Sequence, residues 1–235
     1  MLARLADTLR GATERLALPQ RCLFCAAPRP REGICDACRA ELPGRGAARC
    51  PVCANLSPVR ETCGDCLAQP PRFSRVTAAV SYRFPVDGAI QRLKYGAHLA
   101  AVRALASLLA EHLAEEPAPD LVLAMPMAPQ RLRERGFNHA HELALAVSAQ
   151  LRLTLAPQLC HRVRHAAPQA ALPWKERQRN IRGAFVCQAD LSGARVAIVD
   201  DVVTTGATLN ELASVLLERG AAQIQGWMVA RTEKP

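Results

Sequence analysis

The chain has 235 residues, half of them apolar and 22% charged, with a formal net charge of +9 and ten cysteines. That length suffices for one sizeable core plus a small module, and no low-complexity tract or membrane-length apolar run is present. The positive charge is nearly all arginine; it admits nucleic acid as a partner without requiring it.

Residues 1–18 are interrupted by Arg4, Asp7, Arg10, Glu14 and Arg15. They have no uninterrupted apolar core and no cleavage site, so they do not read as a signal peptide. Leu2, Leu5, Leu9 and Leu16 suit a short amphipathic helix. With no export signal and no spanning segment, the expected location is cytoplasmic.

Four C-x-x-C knuckles follow: Cys22/Cys25, Cys35/Cys38, Cys50/Cys53 and Cys63/Cys66. Each of the first four cysteines recurs 28 positions later, which marks an internal duplication. Each copy carries the four thiols that a structural zinc requires. Disulfides are the rival reading, but they need an exported chain. The expectation is about two zinc ions, closed by sulfur and structural, supplying much of the folding energy of a segment poor in apolar residues. One metal per copy and a cross-braced pairing of first knuckle with third use the same thiols, and both stay open. Arg21, Arg29, Arg31, Arg39, Arg45, Arg49, Arg60 and Arg72 surround the knuckles, while only Phe24 and Phe73 could stack on bases.

Pro70-Pro71 marks a boundary, giving three expected regions: an N-terminal helix (1–18), a double zinc ribbon (19–70) and an α/β domain (71–235). Val76–Tyr82 reads as a strand, Val86–Leu113 as a helix that Gly96 interrupts, and Asp120–Met125 as a buried strand stopped by Pro126. Pro129–His139 reads as a loop placing Arg131, Arg133 and Arg135 beyond a strand's carboxyl end, where open α/β sheets bind ligands. Arginine forks suit a diphosphate. His139 and His141 lack an acidic neighbour in sequence and read as early residues of a helix running to Leu151. Leu155–Val163 and Ala184–Cys187 read as strands, with Cys160 and Cys187 as isolated, buried packing residues. Between them Arg162–Arg182 is a long basic segment. Its Lys175, Arg177 and Arg179 suit a lid over an anion.

Val196–Val199 is a continuous apolar strand ending in Asp200-Asp201. Thr204-Thr205-Gly206-Ala207-Thr208 then turns into a helix carrying Leu209, Leu212, Ala213, Leu216 and Leu217, with Gly220 as its stop. Ile224–Ala230 reads as the last strand. Backbone amides at a helix start bind phosphate, and threonine hydroxyls add donors without charge. Carboxylates at the strand tip accept hydrogen bonds from ribose hydroxyls. One object satisfies both halves: a ribose 5-phosphate. No G-x-x-x-x-G-K-[ST] occurs, so the acidic strand is not half of a P-loop site.

All thirteen positions from Val196 to Thr208 resemble the phosphoribosyl-pyrophosphate (PRPP) signature of type I phosphoribosyltransferases. That resemblance implies that Asp200 and Asp201 hold the ribose hydroxyls and that Thr204, Thr205, Gly206, Ala207 and Thr208 hold the 5-phosphate. The cysteine module, Arg133 with Arg135–Asn138, and Pro168, Gln169, Leu172, Glu176, Arg177 and Asn180 before the signature together resemble the ComF family, phosphoribosyltransferase-like proteins linked to bacterial competence. Two departures lie in the loops expected to face substrate: His139 where many relatives have glutamine, and Ala166 where threonine is common. The resemblance implies a type I phosphoribosyltransferase fold, a mostly parallel sheet with flanking helices, behind a double zinc ribbon. It implies transfer from PRPP, with magnesium, to an acceptor left open, with Asp200, Asp201, Arg133, Arg135, Lys175, Arg177 and Arg179 around the reaction. Single-stranded DNA and proteins of the competence machinery are the other implied partners, and a PRPP sensor without turnover is a third reading.

Overall fold

The run Val196–Val199 is the inner strand of a four-stranded parallel sheet. The computed structural model describes residues 21–28, 31–96, 99–156, 159–163 and 181–233. The strands are β1 (Arg75–Ser81), β2 (Leu121–Ala124), β5 (Arg195–Val203) and β6 (Gln223–Arg231), in the order β1-β6-β5-β2 with every pairing parallel. A separate antiparallel pair joins β3 (Cys160–Arg162) to β4 (Phe185–Cys187).

Side chains alternate across a strand, and both faces of the inner strands are apolar. Ala197, Val199, Trp227 and Val229 face α3 (Val86–Gly96), α4 (Ala100–Leu113) and α6 (His139–Leu151). Val196, Ile198, Ile224 and Met228 face α7 (Ala207–Glu218), whose Leu209, Leu212 and Leu216 are buried there. The chain is therefore a three-layer α/β fold, and β5 carries its two aspartates to the sheet's carboxyl edge. Gly96 ends α3, so the helical run from Val86 is two helices.

Pro129–Arg135 is a helix, α5, and not the expected loop. Proline at its first turn and Gly136 in the left-handed conformation at its end are ordinary start and stop signals. Cys160 and Cys187 are buried, as expected, but not isolated: they face each other across the β3–β4 pair.

The duplication of the cysteine segment extends to the backbone. Short helices α1 (Asp36–Ala40) and α2 (Gly64–Ala68) follow the third thiol of each copy. Ala26 and Ala54 both have positive φ, 58° and 59°, as do Glu32 and Arg60, 51° and 55°. The Cys35 amide donates to Cys22 Sγ (3.4 Å) and the Cys63 amide to Cys50 Sγ (3.3 Å). The copies dock differently. The first packs on α4: Ile34 is in the core, and Arg39 and Arg45 both pair with Glu111. The second is tied to the sheet, where Arg49 is part-buried, donating to Ser81 Oγ (2.9 Å), and the Val76 amide donates to Val52 O (2.8 Å).

Candidate functional site

Asp200 and Asp201 close one wall of a cleft of about 310 Å³ at the carboxyl end of the sheet. Its opposite wall is the last turn of α3 and the α5–α6 junction. Asp201 is buried, and Lys94 Nζ lies 2.6 Å from its Oδ2. His139 Nε2 lies 3.4 Å from the same oxygen and 3.8 Å from Asp200 Oδ1. On its other edge, His139 Nδ1 lies 2.8 Å from Arg135 Nη1.

That last contact sets the imidazole tautomer. A guanidinium can only donate, so Nδ1 accepts and the ring proton sits on Nε2, facing Asp201. His139, Asp200 and Asp201 bring donor atoms within 4.8 Å of one another, the spacing of a metal site. A protonated Nε2 is no ligand, however, and Lys94 already supplies the positive charge. The cluster is a polar network: Arg135 donates to His139, the His139 ring faces Asp201, and Lys94 forms an ion pair with Asp201.

The network separates the two carboxylates. Burial and then the charge of Asp201 push Asp200 up to about 6. Burial also works to raise Asp201, but the His139 hydrogen bond and the Lys94 charge outweigh it and hold Asp201 well below the usual carboxylate range. Asp201 is therefore the fixed charge, and Asp200 is the carboxylate left for a ligand.

Asn138 aims the histidine. Its Oδ1 accepts from the Ala140 amide (3.1 Å), capping α6, and its Nδ2 donates to Met125 O (3.1 Å) at the end of β2. Both ends of that side chain are used, so the first residue of α6 is pinned over the sheet edge.

Thr204–Thr208 all line the cleft. Gly206 is the N-cap of α7 with φ +79°, a conformation that side chains rarely adopt. Thr205 Oγ1 accepts from the Ala207 amide (3.2 Å), folding the turn back on the helix start. The result is a concave strip of amides and hydroxyls on the positive end of a helix, the geometry of an anion site.

Of the three α5 arginines, Arg131 and Arg135 line the cleft and Arg133 does not. Two residues along a helix amount to a turn of about 200°, so Arg133 points away from the face its neighbours share. Of the expected pair Arg133 and Arg135, the structure brings only Arg135 to the cleft, and Arg131 lies beside it there. Arg135 also stacks over Tyr95, 5.2 Å from the ring centroid. Arg162 lines the cleft from β3. Lys175, Arg177 and Arg179 lie outside the described residues. His139 does have acidic partners, contrary to the sequence expectation, whereas His141 is not among the lining residues. Lys94 was not foreseen at all.

The four-thiol sets are Cys22, Cys25, Cys35, Cys38 and Cys50, Cys53, Cys63, Cys66, one per copy. In each, the second and third sulfurs lie 3.6 Å apart. Tetrahedral zinc with bonds of about 2.3 Å spaces its sulfurs about 3.8 Å apart, so both sets fit. Purified, fully reduced protein is expected to hold about two zinc ions per chain by elemental analysis. A single equivalent would overturn the one-metal-per-copy pairing.

A parallel sheet with this acidic strand tip and helix-start nest, joined to two four-thiol clusters, defines a phosphoribosyltransferase-like protein with a double zinc ribbon. The sequence matches a double zinc ribbon domain over residues 14–67 and a phosphoribosyl transferase domain over residues 175–232. It is 33% identical over 226 residues to the DNA utilization protein YhgH of Salmonella typhi, covering 92% of this chain and 99% of that one. Against Competence protein F of Haemophilus influenzae it is 31% identical over 223 residues, covering 90% and 96%. Against Competence protein ComFC of Bacillus subtilis it is 25% identical over 215 residues, covering 87% and 86%. The chain belongs to the ComF family. Among the described residues, no helix is long and apolar enough to cross a membrane.

Proposed function

We propose that the protein binds PRPP in the β5–α7 cleft and transfers its ribose 5-phosphate to an acceptor, releasing pyrophosphate. The observation that carries this reading is the meeting of three unlike surfaces in one cleft: carboxylates at the strand tip, the Thr204–Thr208 nest, and the guanidinium groups of Arg131 and Arg135. The nest takes the 5-phosphate, Asp200 accepts from a ribose hydroxyl, and the arginines face the diphosphate. In the reaction, the bond from the anomeric carbon to the diphosphate breaks and a bond to the acceptor forms. Charge that develops on the leaving diphosphate is met by fixed cations, so positioning and electrostatics supply the catalysis. Magnesium carried on the PRPP diphosphate would supply part of that neutralisation.

PRPP with magnesium is expected to raise the melting temperature. Ligand at a hundred times its Kd stabilises by about 2.7 kcal/mol, on the order of 5–10 °C for a domain of this size. Replacing Asp200 and Asp201 together by alanine should abolish the shift, as should Gly206→Val, which puts a β-branched residue at positive φ. No shift with roughly millimolar PRPP would sink the reading. Pyrophosphate release across a panel of acceptors then separates an enzyme from a sensor that binds without turnover.

A second reading rests on the relatives named for DNA utilization and competence. Arg39, Arg45 and Arg49 are committed to internal partners, which leaves Arg21, Arg60 and Arg72 as exposed cations around the ribbons among the described residues. If single-stranded DNA binds there, log affinity falls with log salt by about 0.7 per phosphate neutralised. Removing these three charges should flatten that slope and leave the PRPP shift intact. A slope unchanged by the triple variant would dismiss this surface.

A further inference from the structure

The underside of the phosphate nest is not made by the α/β domain alone. Arg231, the last residue of β6, stands in register with Val203 at the end of β5, and it is 2% exposed. Its Nη1 donates to Val203 O at 3.1 Å and also to Thr204 O, the carbonyl that opens the nest. The Thr232 amide adds a hydrogen bond to Val203 O (3.0 Å). Behind the guanidinium lies the second four-thiol set, whose Cys53 and Cys66 line the same cavity as Arg231. A second cavity, of about 360 Å³, opens between the two structures, lined by Cys53, Cys66, Phe73, Gly206 and Arg231. Phe73 supports the turn from below, 3.6 Å from where a side chain on Gly206 would begin.

We propose that Arg231 makes the second four-cysteine site a working part of the phosphate loop, so that metal at that site and a phosphate in the nest stabilise each other. This rests on the phosphate reading of the nest. Four thiolates around a divalent zinc carry a net double negative charge, and a buried guanidinium is the natural counterion. With metal bound, Arg231 is held from behind, and its forward face holds the Val203 and Thr204 carbonyls. The peptide planes that carry those carbonyls lead into the amides that meet the phosphate. Metal binding is what holds all four sulfurs as thiolates around one cation, so without metal the guanidinium loses the charged cluster that anchors it. The first site has no such path, since it docks on α4 through Ile34 and the Glu111 ion pairs. Arg231 is a positioning residue: it acts on the phosphate through backbone carbonyls.

Coupling of this kind is reciprocal, so the ligand must slow metal loss from the second site. The test uses the full zinc-loaded chain and follows zinc transfer to a chromophoric chelator, with and without ribose 5-phosphate, a weaker zinc chelator than PRPP. Cys25→Ser and Cys66→Ser assign the two release phases. The expected result is that ribose 5-phosphate slows release from the second site on the order of five- to tenfold and leaves the first unchanged. Arg231→Lys keeps the charge but loses the fork; it should abolish the slowing and leave the first-site rate unchanged. A merely structural arginine would instead speed both phases and leave the slowing by ligand in place. Equal slowing at both sites, no slowing, or slowing that survives in Arg231→Lys overturns the proposal. Should that variant fail to fold, the comparison of the two sites in the wild-type chain decides. Failure of ribose 5-phosphate to bind, read by thermal shift, overturns the phosphate reading and the coupling with it; binding without selective slowing overturns the coupling alone.

Discussion

Lys94→Met is expected to destabilise the ligand-free protein by about 3 kcal/mol, the lower end for breaking a buried pair by removing one partner. Asp201 is buried, and its only full positive charge at ion-pair distance among the described residues is Lys94, 2.6 Å away. Burial works to lower the Lys94 pKa, but the Asp201 charge and hydrogen bond outweigh it and raise it, so each member holds the other ionised. His139 Nε2 lies farther from the same oxygen, at 3.4 Å. In a domain of this size the loss amounts to roughly 6–12 °C in melting temperature. The second half of the test is a double variant: Lys94→Met with Asp201→Asn removes the stranded charge and should recover most of the loss. A single variant that melts within about 2 °C of wild type would show that water, not Lys94, satisfies Asp201.

That Lys94 was absent from the sequence reading has a physical reason. It sits on an amphipathic helix just before Gly96, where a lone lysine reads as a solvated residue. Its partner comes from β5, far along the chain, and no local spacing records such a contact. The same holds for His139, which lacks an acidic neighbour in sequence and gains two when α6 packs beside β5. Elements with local signals were legible. The apolar run of β5, the hydroxyl-rich turn and the leucine spacing of α7 each report on their own structure, and the cysteine repeat reports on itself twice. The case of α5 is of another kind. Pro129 and Gly136 bracket a helix, but three arginines in seven residues read as a solvated loop, and Arg133, two residues from both Arg131 and Arg135, faces another way.

Asp200→Asn is expected to stabilise the free protein at neutral pH while weakening ligand binding. Asp200 is pushed up to about 6 by burial and the neighbouring Asp201 charge, whereas an unfolded aspartate titrates near 3.9. The folded state thus binds this proton more tightly than the unfolded state does. Its favourable contribution is full below about pH 4 and is lost as the pH rises to about 6; above that, a charged Asp200 is a constant cost. At about 1.4 kcal/mol per unit, the cost is on the order of 2–3 kcal/mol. Asparagine removes the charge and keeps an oxygen to accept the Asp201 amide, now 2.9 Å from Asp200 Oδ1. The variant should therefore melt above wild type at pH 7.5, and the two should converge near pH 4. Asp201 has the opposite sign, since its lowered pKa gives stability present at neutral pH and lost on acidification. It is common to both proteins and leaves the difference between them unchanged. A difference independent of pH would mean that Asp200 carries no such strain, and a less stable variant at pH 7.5 would mean that its charge is already compensated. With the expected outcome, a lower melting temperature at neutral pH is what the wild type gives up to keep an ionised carboxylate facing the cleft.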